Sequence, residues 1–216
     1  MPLRVMCFCT EATEAFGPSS RQRDAAAFLR ALKGEELACR ARVPVLGQER
    51  ELDQSNRNDT IDWFGEMVTE QFRRHSIAPP FTLVPVPGRK ITLDSSAGPW
   101  TALLAISIVP HFSNGVEVRD VLRWREEWPP ESDPLQSKDP GELYQNLSLI
   151  GEQTWEEPVI LVDYVLTTGA LLRACASVLR ADGARVVLAL CAGRRVRSST
   201  LDAFRVVGGE LPGFRL

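Results

Sequence analysis

The run Val159-Ile160-Leu161-Val162 passes straight into Asp163, then through Tyr164-Val165-Leu166 to Thr167-Thr168-Gly169-Ala170, and on to Leu171, Ala174, Cys175 and Val178 at helical spacing. Consecutive apolar residues without polar alternation suit a strand covered on both faces, as in a parallel sheet. The segment therefore reads as a strand that carries an acid at its carboxyl end and opens on the start of a helix. Ligands of open α/β sheets bind beyond the carboxyl ends of the strands. Unpaired amides and the helix dipole make the following turn a ready anion site, and Gly169 allows the backbone to come close to the anion. An acid beside an anion is unfavourable alone, so Asp163 reads as an acceptor for ligand hydroxyls or a holder of hydrated Mg2+. A phosphorylated sugar meets both needs. The same residues also suit an ordinary strand-to-helix turn with Thr167 or Thr168 as N-cap.

Elsewhere the pattern alternates between strands and helices. Ser19 with Gln22 forms a capping-box signal, and the stretch 24–33 reads as a helix closed by Gly34. A short strand is expected at 37–43 and a polar loop at 48–59. Ile61, Phe64, Val68 and Phe72 mark a second helix, with Asn58, Asp59 and Thr60 as N-cap candidates. From residue 81 come a strand (81–86), an apolar helix (98–109), a strand (116–122), a long Pro-rich charged connection from Trp124 to Tyr144, and strands at 146–150, 159–162 and 186–191. Asp182-Gly183 closes the helix before the last of these. Short connections between alternating strands and helices predict an α/β fold with a doubly wound, mainly parallel sheet. The expected division is an N-terminal hood or appended segment over 1–60 and a core over 61–216, with a flexible loop at 123–145.

The order of elements over roughly 80–192, together with the 159–171 wording, resembles the type I phosphoribosyltransferases. Val165-Leu166-Thr167-Thr168-Gly169-Ala170 is similar to the competence-associated branch of that family. The resemblance implies that Asp163 and Tyr164 face the ribose of phosphoribosyl pyrophosphate (PRPP). It implies that Leu166, Thr167, Thr168, Gly169 and Ala170 hold the 5′-phosphate, and that Val86, Pro87, Gly88, Arg89 and Lys90 form the pyrophosphate turn. Asp163, Arg89 and Lys138 would then be the catalytic residues, with Lys138 in a loop that closes over the leaving group and Arg123 and Arg125 as further phosphate contacts. Mg2+ would be held through PRPP, with Asp163 the one protein group set to approach it. The implied activity is transfer of ribose 5-phosphate to a nitrogenous acceptor, in a homodimer by analogy with the relatives. The chain departs from the pattern at Tyr164, where the family motif has a second acid, and at Leu171, where it often has a hydroxyl. A lost hydrogen bond to a charged group costs roughly 1.5–3 kcal/mol. These departures favour an alternative, a non-catalytic PRPP- or nucleotide-binding regulator. A ligand-free interaction module is a third reading.

The formal charge of −3 argues against a nucleic-acid partner held by bulk electrostatics. No run reaches the length of a membrane span, and the first residues lack a signal-peptide core, so a cytoplasmic location is expected. The five cysteines have no disulfide-framework spacing. Cys7-Phe8-Cys9 has no second pair to complete a zinc site, and Cys175 and Cys191 read as small buried hydrophobes. Neither His75 nor His111 has an obvious nucleophile or metal partner. Arg194-Arg195-Val196-Arg197 reads as a solvated basic end or an anion contact. Trp100 is expected to pack on the sheet, and Trp124 and Trp128 to flank the long loop.

Overall fold

A computed structural model describes residues 1–12, 18–127, 139–197 and 202–213. In chain order the elements are β1 (Leu3–Ala12), α1 (Ser20–Leu32), β2 (Ala41–Val45), β3 (Gln48–Leu52), α2 (Thr60–Arg74), β4 (Phe81–Pro85), α3 (Thr101–Ile108), β5 (Val116–Val118) and β6 (Leu122–Trp124). There follow α4 (Pro140–Asn146), β7 (Leu147–Leu149), β8 (Val159–Leu166), α5 (Ala170–Ala181), β9 (Val186–Val196) and β10 (Val207–Leu211).

Six strands form the main sheet in the order β10-β1-β9-β8-β4-β5. All neighbouring pairs are parallel except β1 with β10. Both faces are covered, as the strand alternation shows. Ile160 and Val162 join Phe28, Phe64, Phe72 and Leu104 from α1, α2 and α3 in one core. Val159 and Leu161 join Leu172, Cys175 and Leu179 of α5 and Leu143 of α4 in the other. The fold is thus α/β with a doubly wound, mainly parallel sheet, as the sequence predicts. Helix α2 crosses α3 so closely that a Cβ on Gly65 would lie 2.2 Å from the Ser107 carbonyl oxygen, which only glycine tolerates there.

Residues 1–60 do not form one hood. Strand β1 lies inside the main sheet, between β9 and β10, with Met6 and Phe8 on one core and Val5 and Cys7 on the other. The stretch 48–59, expected as a loop, begins with β3, which pairs antiparallel with β2 around Leu46 (φ 52°) and Gly47 (φ 79°). Its polar sequence Gln-Glu-Arg-Glu suits an exposed strand fixed by partners beyond the hairpin. Arg50 makes two hydrogen bonds to Glu66 of α2 (2.9 and 2.6 Å), and Arg21 of α1 pairs with Glu49. The expected strand 116–122 is split: β5 ends the main sheet, whereas β6 pairs with β7 in a separate ribbon. The 123–145 segment accordingly contains the end of β6 and most of α4; its residues 128–138, including Trp128, Ser137 and Lys138, lie outside the described residues. Cys7, Cys9, Cys175 and Cys191 are buried free thiols, and Cys39 is exposed. Among the described residues no helix is long and apolar enough to cross a membrane.

Candidate functional site

The carboxyl ends of β4, β8 and β9 meet at one edge of the sheet, beneath a cavity of about 600 Å³. Three segments build it. The first is the end of β8 and its turn. Leu166 is the buried last residue of the strand, Thr167 and Thr168 are exposed, and Gly169 (φ 76°) turns the chain into α5. The Ala170 N–H donates to Thr168 Oγ1 (3.3 Å). A Cβ on Gly169 would meet the Leu211 side chain at 2.7 Å, so β10 backs this turn closely.

The second segment is the turn after β4. Val86 N–H extends the pairing to Val162 O (2.9 Å), Thr101 Oγ1 donates to Val86 O (2.6 Å), and Trp124 Nε1 donates to Gly88 O (3.1 Å). Val86, Pro87, Gly88 and Arg89 line the cavity; Lys90 does not. Trp124, expected beside a moving loop, is instead buried and anchors this turn.

Between the two lies Asp163. Its Oδ1 accepts the Tyr164 N–H (2.7 Å). The cavity leaves the residue partly reachable, but its surroundings strip the carboxyl of water, and this desolvation raises its pKa to about 6 against the pull of that hydrogen bond. At pH 7 the carboxylate form still prevails.

The third segment comes from the opposite face of the sheet. Tyr164 turns away from Asp163, as neighbours on a strand do, and its hydroxyl donates to Leu29 O in the last turns of α1. Burial first, then the negative charge of Glu11, raises the phenol pKa well above its usual value, so it stays neutral. Trp100 Nε1 likewise donates to Leu32 O, and its ring lies 3.3 Å from where a Cβ on Gly34 would be. Trp100 is 42% exposed rather than packed on the sheet. These two bonds hold the end of α1 at the cavity, where Lys33 and Glu35 join the lining. Arg195, from the basic cluster at the end of β9, lines it too.

No protein-family model matches the chain, and no curated protein sequence matches it. Among solved structures, it is similar to a hypoxanthine phosphoribosyltransferase from Staphylococcus aureus, with 8% identity and a TM-score of 0.40 over 63% of this chain and 73% of that one. It is also similar to an adenine phosphoribosyltransferase (APRTase) from Giardia lamblia complexed with 9-deazaadenine, with 14% identity and a TM-score of 0.39 over 74% of this chain and 96% of that one. Likeness this distant carries nothing about substrate or activity.

The structure therefore brings together Asp163, Tyr164, the 166–170 turn and Val86–Arg89. It does not bring Arg123 to them. Arg123 is 7% exposed and makes a bidentate pair with Asp120 (2.6 and 3.0 Å), so its charge is spent within the fold. Arg125 does not line the cavity either. Lys33 and Glu35 are among the lining residues that the sequence did not single out, with Trp100 expected only to pack on the sheet. Gly34 correctly closes α1, but nothing local tells that this helix end returns to β8.

Proposed function

We propose that the protein is an Mg2+-dependent phosphoribosyltransferase, acting in the cytoplasm, that moves ribose 5-phosphate from PRPP to a nitrogenous acceptor and releases pyrophosphate. The observation that carries this reading is the placement of one carboxylate, Asp163, between an amide-rich turn at a helix start and a second turn bearing Arg89. A sugar with a phosphate at one end and a pyrophosphate at the other matches that spacing of functions. The 5′-phosphate lies on the 166–170 turn, where the α5 amides face it. The ribose hydroxyls donate to Asp163. The pyrophosphate lies against Val86–Arg89, where the Arg89 cation stabilises charge as it develops.

An acceptor nitrogen attacks C1′ and forms the new C–N bond. The C1′–O bond breaks, and pyrophosphate leaves with the electron pair. The acceptor's displaced proton passes to solvent or to the departing oxyanion. Asp163, ionised at neutral pH, lies near the sugar as positive charge grows at C1′. Catalysis is then mostly positioning and charge placement. Among the described residues no three metal-ligating side chains cluster. One carboxylate beside the two turns fits a metal held chiefly through the ligand's own oxygens, which would supply charge neutralisation for the leaving group.

Lys138 remains proposed as the lysine of the closing segment. A second reading, a PRPP-binding regulator without turnover, is favoured by Tyr164, because its hydroxyl is engaged by Leu29 O rather than offered to a ribose. Calorimetry with Mg2+-PRPP and pyrophosphate release across a panel of bases separate the two. Tight PRPP binding with release supports the transferase, and binding without release from any base supports the regulator. Absence of PRPP binding defeats both.

A further inference from the structure

Once the 166–170 turn, Asp163 and the Val86–Arg89 turn are assigned to PRPP, one end of the cavity is left over. It lies on the α1 and α3 face of the sheet and is lined by Lys33, Glu35, Trp100, Tyr164 and Arg195. Two features define what fits there. Trp100 and Tyr164 supply flat aromatic surface, each fixed by a hydrogen bond to an α1 carbonyl. The unspent charge is positive. Glu35 is shared with Arg30 (3.3 Å), and Arg195 Nη2 reaches Glu11 (3.4 Å). Lys33 Nζ lies 4.5 Å from the centre of the Tyr164 ring and has no carboxylate partner among the described residues. The Arg195 Nε–H is buried and has no hydrogen-bond partner among the described residues.

We infer that this end is the acceptor subsite and that it takes a planar nitrogen heterocycle bearing a carboxylate, held by Lys33 and Arg195. A neutral base offers the aromatic walls the same surface but leaves the Lys33 ammonium without a counter-charge. A cationic base meets Lys33 unfavourably. The inference rests on the transferase reading, since it is the PRPP assignment that leaves this end free.

The test is calorimetry on the full chain with Mg2+ and ribose 5-phosphate, titrating matched probes: nicotinate against nicotinamide, and orotate against uracil. The carboxylates are expected to bind at least roughly tenfold tighter than their neutral partners. Lys33→Met is expected to remove most of that preference and Lys33→Arg to keep it, with Arg195→Gln reducing it independently. Lys33 is exposed, so its variants test recognition rather than folding. Equal affinity for charged and neutral probes, or a preference untouched by Lys33→Met, overturns the inference. Failure of ribose 5-phosphate itself to bind points instead to failure of the transferase reading.

Discussion

The Tyr164 hydroxyl donates to the Leu29 carbonyl, across 135 residues of sequence. It joins the acid-bearing strand of the cavity to the C-terminal end of a helix on the other face of the sheet. The residue that departs from the phosphoribosyltransferase pattern is thus a tie between two walls of one site. Tyr164→Phe removes that tie and keeps the ring under Lys33. The expected cost is about 1 kcal/mol, a fall of roughly 2–4 °C in melting temperature for a chain of this size. Ribose 5-phosphate affinity should change little, because the lost hydroxyl faces α1; a tenfold loss would instead place it on the sugar.

Asp163 is destabilising where it is charged. Its pKa in the fold is about 6 against 3.8 for an ordinary aspartate. Between those values the folded form binds more protons than the unfolded form, so stability falls as pH rises from about 4 to about 6, and the loss persists above that. Asp163→Asn keeps an oxygen for the Tyr164 N–H and removes the charged form. Thermal melts should show a gain on the order of 1–3 kcal/mol at pH 7 and a flatter profile between pH 4 and 6. The same variant should bind PRPP at least tenfold more weakly. A variant that binds PRPP like wild type removes Asp163 from the site.

Gly169→Ala meets two obstacles, a positive φ and the Leu211 side chain. The positive φ alone costs roughly 1–2 kcal/mol, and the clash adds to it. In a Leu211→Ala background the clash is relieved and the backbone strain stays. A double-mutant cycle by chemical denaturation should therefore give a coupling of about 1 kcal/mol. Additive effects would mean that β10 does not back the turn.

Arg123→Met leaves Asp120 without its bidentate partner. With Arg123 nearly buried, the expected loss is about 2–4 kcal/mol of stability. PRPP affinity of the folded fraction, measured by calorimetry, should stay within about twofold. A selective loss of PRPP affinity would return Arg123 to the phosphate site.

The parts of the fold that the sequence made legible are those whose signal is local. Val159–Val162 is apolar throughout because both faces of β8 are covered, and Asp163 interrupts it at the carboxyl end, beneath the cavity. Ser19 caps α1 through the Gln22 N–H (3.3 Å), as its spacing predicts. Strand β1 is hard to read because Arg4 and the two cysteines around Phe8 obscure an otherwise apolar run. Strand β3 is nearly all polar and owes its place to Glu66 and Arg21, which are distant in sequence. The α1 wall of the cavity was invisible for the same reason. Its position depends on Tyr164 and Trp100 finding carbonyl groups that no spacing rule connects to them.

The place of β1 has a consequence for biosynthesis. Its parallel neighbour begins at Val186 and its antiparallel neighbour at Val207. Strand β1 therefore leaves the ribosome well before either of its partners. Until they emerge its apolar residues have no sheet neighbour, and closing the long loop to β9 makes that step slow. Assembly of the β10-β1-β9 side of the sheet is accordingly late, and the nascent chain carries an exposed sticky segment until then.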